Sequence, residues 1–150
     1  MPHSAHFVVM KDEQTEGTAH LVLACSIAQH YANKGLKLYV LTDTDEQAAA
    51  IDDLLFALPT EQFVAHAQVQ FAPRYGAPVL IGSSTPQNFV PLLINLSAKG
   101  PMNAVKCRHI IDLVPSEPTL KQQARDRYRS YQGFGIAPTN GSEQDFPAFN

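Results

Sequence analysis

Short apolar runs alternate with amphipathic stretches along the first part of the chain. Residues 5–10 read AHFVVM and are followed by polar residues, which is typical of a buried strand and a loop. Between residues 18 and 34 the apolar positions follow a helical period, and Gly35 is well placed to end this helix. Residues 36–41, LKLYVL, are predicted to form a second strand. The pattern therefore begins with strand, helix and strand.

A second helix and three further strands continue this alternation. Thr44 followed by Gln47 has the spacing of a capping box, and Pro59 ends the helical period that follows. Three later runs have the length and apolar content of strands: residues 78–81, 92–96 and 109–114. Strands that alternate with helices of this length favour a mostly parallel sheet with helices on both faces. We expect a single α/β domain.

A third helix follows the last predicted strand. Residues 120–131 read LKQQARDRYRSY, with Pro118 placed for the first turn and Gly133 for the end. Beyond the helix, turn-forming residues without a clear period predict a flexible C-terminal tail at residues 140–150. The α/β domain is accordingly expected to span residues 1–139.

One face of this third helix is both cationic and aromatic. Four residues share it because they are spaced i, i+4, i+7 and i+8: Lys121, Arg125, Tyr128 and Arg129. Arg127 lies about 160° or more around the helix from its two arginine neighbours, and so on a different side. The shared face favours a docking site for a partner that is negatively charged and partly apolar, although a solvated charged face has the same pattern.

The chain as a whole is acidic, with 14 acidic and 11 basic residues and a formal net charge of -3. Because four cations and one carboxylate lie in residues 119–132, this segment carries +3 and the remainder -6. A protein that binds DNA over its whole surface is expected to be basic, since neutralised phosphates supply much of that affinity. The charge distribution favours a local anion site and disfavours a direct binder of single-stranded DNA.

Signs of nucleotide binding and of catalysis are weak. Neither G-x-x-x-x-G-K-[ST] nor G-x-G-x-x-G occurs, and the loop after the first strand carries Asp12, Glu13 and Glu16, which would repel a phosphate. The residual candidate is the loop 82–85, which Pro86 makes more typical of a plain turn. The six histidines and two cysteines lack the spacing of metal ligands. We expect no cofactor, metal or catalytic residue, with a nucleotide-binding enzyme as the alternative.

Cysteine use and hydropathy point to a cytoplasmic protein. Cys25 lies in an apolar helical stretch, where a free thiol behaves as a small core residue. No run approaches the ~20 apolar residues of a membrane span, and the first residues lack the basic and apolar regions of a signal peptide.

Two phenylalanines flank the end of the second predicted helix. Phe56 precedes Pro59, and Phe63 follows it. Core packing is the ordinary explanation for such residues. The alternative is an exposed aromatic pair that anchors a partner protein.

Five motifs resemble those of the chi subunit family of the bacterial DNA polymerase III holoenzyme. Members of this family are clamp-loader accessory proteins. Three of them are A-C-x-I-A at residues 24–28, P-x-E-x-F-V-x-H at 59–66 and G-A-P-V at 76–79. The most specific are D-x-V-P at residues 112–115 and L-K-Q-x-A-R-x-R-Y at 120–128. The resemblance extends over nearly the whole chain, to about residue 139.

The resemblance implies a noncatalytic α/β protein that is similar in shape to nucleotide-binding folds but lacks their phosphate loop. Members of the family link the psi subunit, and through it the clamp loader, to the acidic C-terminal tail of the single-stranded DNA-binding protein (SSB). They reach DNA only through SSB.

Carried over to this chain, the resemblance assigns residues to both partners. The SSB-tail pocket would comprise Val114, Lys121, Arg125, Tyr128 and Arg129. Phe56 and Phe63 match aromatic positions on the psi-facing surface, which also receives a helicase-like repair protein in some relatives.

Overall fold

A computed structural model describes residues 2–11, 19–74, 76–101 and 105–149 and contains one seven-stranded sheet and three α-helices. The strands are β1 Ser4–Val9, β2 Leu38–Leu41, β3 His66–Gln68, β4 Val79–Gly82, β5 Val90–Asn95, β6 Cys107–Val114 and β7 Thr139–Gly141. The helices are α1 Ala19–Ala32, α2 Asp45–Phe56 and α3 Pro118–Gly133. The predicted α/β class is therefore confirmed.

The sheet has the strand order β3-β4-β2-β5-β6-β1-β7, and every pair is parallel. Strand β1 lies between the last two strands of the chain, with Ser4 opposite His109 and Val9 opposite Val114. Parallel pairing places the carboxyl ends of all strands at one edge of the sheet, where the loops leading into the helices begin.

The two faces of the sheet are covered by different helices. Alternate residues of a strand point to opposite faces, so Val8 packs in the core with α1 and α2, whereas Phe7 packs in the core with α3. The same alternation separates Val40 from Tyr39 in β2. The prediction of helices on both faces is confirmed.

Capping residues place the starts of α2 and α3 where the sequence predicts them. The Thr44 hydroxyl accepts a hydrogen bond from the Gln47 backbone N–H at 3.1 Å. At α3, Pro118 occupies the first turn, where its missing N–H is not needed.

Within the described residues, none of the helices is long and apolar enough to cross a membrane.

The C-terminal segment extends the sheet and then crosses to α1. Strand β7 runs past the predicted boundary at residue 139 and pairs with β1. Phe146 and Phe149 pack against the core beside Tyr31, whose hydroxyl donates to the Pro147 carbonyl. The flexibility of residues 140–150 stays a prediction, but the structure provides contacts that would hold this segment to the domain.

Candidate functional site

Helix α3 begins at the carboxyl edge of the sheet and runs back across one face, antiparallel to β6. The Glu117 carboxylate caps it by accepting hydrogen bonds from the backbone N–H groups of Leu120 at 2.9 Å and Thr119 at 3.0 Å. These bonds lower the pKa of Glu117. Ala124 and Tyr131 are buried on the side that faces the sheet. The opposite side of the helix is left to solvent.

Arg127 belongs to the buried side of α3 and is held by a carboxylate in β6. Its Nε lies 2.8 Å from Oδ2 of Asp112, and its two terminal nitrogens donate to the backbone carbonyls of Ala98 and Leu113. The Tyr131 hydroxyl donates to the same Asp112 oxygen at 2.8 Å. Burial opposes the charge on Arg127, but Asp112 outweighs it and raises the Arg127 pKa. These bonds fix the position of α3 on the sheet.

The cationic face of α3, defined as Lys121, Arg125 and Arg129, lies on the outer side of the helix. Arg125 and Arg129 are exposed and Lys121 is half-buried. Arg129 is 3.7 Å from Asp126, but both side chains are largely in water, where such a pair contributes little. Among the described residues, neither Lys121 nor Arg125 has an ion-pair partner. Two free cations therefore lie one helical turn apart.

An apolar surface borders the cationic face, as predicted for Val114 and Tyr128. The ring of Tyr128 packs on Phe7 with centroids 5.2 Å apart, and its hydroxyl is 3.4 Å from the Pro138 carbonyl oxygen. Val114 is half-buried in the same cluster. The structure thus brings the five predicted tail-binding residues to one side of the molecule.

Val9 is a part of this apolar surface that the sequence reasoning missed. It lies opposite Val114 in the pairing of β1 with β6, and it shares the α3 face of the sheet with Phe7. With 45% of its surface exposed, it is the most exposed residue of β1. The apolar run at residues 5–10 contained the residue, but only the strand register places it beside Val114.

Phe56 and Phe63 form an exposed aromatic pair on another part of the surface. Their rings are 6.0 Å apart, and 63% and 45% of their surfaces are exposed. Core packing is therefore the wrong explanation for both. The ring of His66 contacts both of them, at 4.6 Å from Phe56 and 5.5 Å from Phe63.

His66 is the residue that supports this pair from beneath. Its Nδ1 is 2.8 Å from the Val64 carbonyl oxygen, and its Nε2 is 3.0 Å from a carboxylate oxygen of Asp52 in α2. Gln68 donates to the other Asp52 oxygen at 3.1 Å. These contacts fix the imidazole ring between α2 and β3. The sequence includes His66 as the last residue of the motif at residues 59–66, but it does not indicate that the ring supports the two phenylalanines.

The loop 82–85, the residual candidate for a phosphate site, is a turn with internal partners. The Ser83 hydroxyl donates to the Asp45 carboxylate at 2.6 Å, which places negative charge beside the loop. The Tyr39 hydroxyl donates to the backbone carbonyl of Ser84 at 2.6 Å. The acidic loop after β1, residues 12–18, lies outside the described residues. Within the described part of the chain, no three acidic, histidine or cysteine side chains form a metal-binding group.

Comparison with known proteins identifies one family. Its model, described as "DNA polymerase III chi subunit, HolC", matches residues 2–139. The DNA polymerase III subunit chi of Escherichia coli K12 is 31% identical over 142 residues, covering 91% of this chain and 95% of that protein. The corresponding protein of Haemophilus influenzae is 30% identical over 144 residues, covering 93% and 99% of the two chains.

A third relative, the subunit chi of Pseudomonas aeruginosa, is 30% identical over 119 residues, covering 79% of this chain and 82% of that protein. The matched residues 2–139 include six strands, all three helices and the first residue of β7. The chain therefore belongs to the DNA polymerase III chi subunit family, whose members are accessory subunits in DNA replication and are not themselves catalytic.

Proposed function

We propose that this protein is a cytoplasmic adaptor that links the psi subunit of DNA polymerase III to the acidic C-terminal tail of SSB. The observation that carries the proposal is the cationic face of α3, which lies beside the apolar surface of Val114 and Tyr128. The separate aromatic pair offers a second docking surface, and an adaptor needs two.

The α3 surface fits an acidic peptide that ends in apolar residues. Lys121 and Arg125 attract its carboxylates, and Arg125 is central enough to hold the terminal carboxylate in a charge-assisted hydrogen bond. The apolar end of the peptide packs against Tyr128 and Val114, with Val9 extending that contact. Charge supplies the attraction and the apolar surface supplies the fit.

The aromatic pair fits a hydrophobic partner such as psi. Phe56 and Phe63 are both exposed, and His66 holds their rings in place. Large aromatic side chains often contribute most of the binding energy at the centre of a protein interface. A helicase-like repair protein would use the same surface and would compete with psi.

Substitution of Arg125 tests the tail-binding site. Arg125→Ala should weaken binding of a fluorescent SSB-tail peptide by roughly tenfold or more, because the peptide carboxylate loses a charged hydrogen-bond donor. Arg74→Ala is the matched control, since Arg74 is an exposed arginine outside α3. Arg127→Ala cannot serve as the control, because it breaks the buried pair with Asp112.

Fluorescence anisotropy gives both affinities, and binding to the wild-type protein should weaken with added salt. Equal losses for the variants at Arg125 and Arg74 would show that the peptide responds to net charge alone. The tail would then bind elsewhere.

A further inference from the structure

A second cationic surface lies at the amino ends of the strands, away from the edge where α3 begins. An open cleft of about 410 Å³ is lined by His3, Phe89, Lys106, Cys107 and Arg108. Parallel pairing brings these residues together, because His3, Phe89 and Lys106 directly precede β1, β5 and β6, and Cys107 and Arg108 begin β6. We call this surface the amino-edge cleft.

The charge of the amino-edge cleft is positive. Lys106, Arg108 and His3 are exposed, and none of the described residues that line the cleft is acidic. Next to the cleft, burial and then repulsion by Arg108 and His3 lower the pKa of His109. Cys107 contributes no charge, because it is buried and burial raises the pKa of its thiol to about 12. The cleft is a local anion-attracting surface on an acidic protein.

Phe89 gives this cleft an aromatic wall. Its exposed fraction is 54%, and the Arg108 guanidinium carbon lies 5.4 Å from the ring centre. That cation–π contact orients the guanidinium group while leaving much of the ring in water. A planar ring, a planar cation and a lysine thus line one open cleft.

We infer that the amino-edge cleft binds single-stranded nucleic acid, with phosphates at Lys106 and Arg108 and a base stacked on Phe89. Proteins that bind single strands combine cations that follow the backbone with aromatic side chains on which bases stack. An acidic peptide would also use the cations, but only its aromatic residues could stack on the exposed ring, whereas every nucleotide of a single strand carries a planar base. The chemistry of the cleft therefore favours a nucleic acid over a peptide.

Direct contact with a single strand departs from the expectation that DNA is reached only through SSB, and the overall charge of -3 makes this a weak, local site. Weak binding is sufficient when another contact raises the local concentration of the strand. Helix α3 ends over this region, since Tyr131 and Cys107 share one core cluster. A partner held along α3 would place an attached strand near the cleft, but binding of a free oligonucleotide does not depend on that partner.

Charge reversal at Arg108 is the first test. A fluorescein-labelled oligothymidylate is titrated at low salt with the wild-type protein and with Arg108→Glu, Arg74→Glu and Arg125→Glu. Arg108→Glu should weaken binding roughly fivefold or more and flatten the salt dependence, because a phosphate contact is lost. The variants at Arg74 and Arg125 change net charge equally and should have much smaller effects.

Removal of the ring is the second test. Phe89→Ala should weaken binding of oligothymidylate by roughly fivefold or more, the scale of one lost stacking contact. The same variant should bind an abasic strand as the wild-type protein does. Thermal melting establishes that the variants are folded, which is expected because Phe89 and Arg108 are both exposed.

Three results would overturn the inference. Equal losses for the variants at Arg108 and Arg74 would show a nonspecific charge effect, and a larger loss at Arg125 would place the strand on α3. Tighter binding of polyglutamate than of oligothymidylate, also dependent on Arg108, would identify an acidic protein as the partner.

Discussion

Asp112 has no exposed surface, and its carboxylate holds α3 against the sheet. One carboxylate oxygen accepts hydrogen bonds from Arg127 and Tyr131, both on the buried side of the helix. Removal of one partner from such a buried pair leaves the other charge uncompensated. The pair therefore fixes the placement of Arg125 and Tyr128, on which the proposed tail-binding site depends.

Arg127→Met should lower the free energy of unfolding by about 3 to 5 kcal/mol, the usual cost of breaking a buried ion pair. Arg129→Met is the control on the same helix and should change it by about 0.5 kcal/mol or less, because Arg129 is 74% exposed. Urea denaturation of both variants measures the difference. Similar values for the two would mean that the Asp112 pair does not stabilise the fold.

The helical period of α3 predicts the side of the helix on which each residue lies, but not the residues that its side chain contacts. The spacing correctly separates Arg127 from the cationic face of α3. It cannot indicate that Arg127 is buried, because its partner Asp112 lies within an apolar strand. Likewise, Val9 joins the apolar surface through strand register, which a single sequence does not specify.

Several short elements meet at the aromatic pair. Phe56 is the last residue of α2, Phe63 follows the 3-10 helix Thr60–Gln62, and His66 begins β3. Pro59 stops α2 and turns the chain, which brings the two rings within 6.0 Å. The proline spacing predicts the break, whereas the exposure of the rings depends on the tertiary fold.

Phe56→Ala and Phe63→Ala should each weaken psi binding by ~2 kcal/mol or more, because each removes a large aromatic contact. Binding of the SSB-tail peptide should be nearly unchanged. Phe71→Ala is the matched control, since Phe71 is 73% exposed and lies outside the pair. Calorimetric titration with purified psi measures the three affinities. A loss at Phe71 equal to that at Phe56 would mean that psi does not select the pair.

The strands that the sequence pattern missed are the two at the edges of the sheet. β3 reads HAQ and β7 reads TNG, so neither has the apolar alternation that marks a strand. Their backbone groups pair with β4 and β1, and this pairing depends on the tertiary fold. The five inner strands were predictable because they are apolar on both faces.

Across the whole molecule, the C-terminal segment connects α1 with β6 through aromatic contacts. Phe149 stacks on His109 with centroids 4.3 Å apart, and Phe146 packs edge-on against His30. Burial and the nearby Lys34 lower the pKa of His30. Burial, with repulsion from two neighbouring cations, lowers that of His109. The docked segment therefore covers two imidazoles that remain neutral more readily than in the unfolded chain.

Removal of residues 142–150 should lower the melting temperature, and the difference from the full chain should shrink as the pH falls. Folding lowers the pKa of His30 and His109. Below the ordinary histidine pKa of 6.5, these residues therefore bind protons more readily in the unfolded chain than in the folded protein. The full chain thus loses stability as the pH falls through 6.5. The truncated protein should lose less stability over the same pH range.

Melting curves about one pH unit above and below 6.5 measure this effect. A difference between the two proteins that stays constant or grows at the lower pH would contradict the proposed link between docking and protonation.

The position of β1 in the sheet has a consequence for synthesis of the protein. Both of its neighbours, β6 and β7, come from the last third of the chain, and Ser4 and His109 are 105 residues apart. A nascent chain that ends before residue 107 therefore exposes an apolar strand with nowhere to pair. Contacts between such distant residues slow folding, and unpaired strands favour aggregation. The ribosome must therefore extrude the chain beyond residue 114 before β1 can complete its pairing with β6.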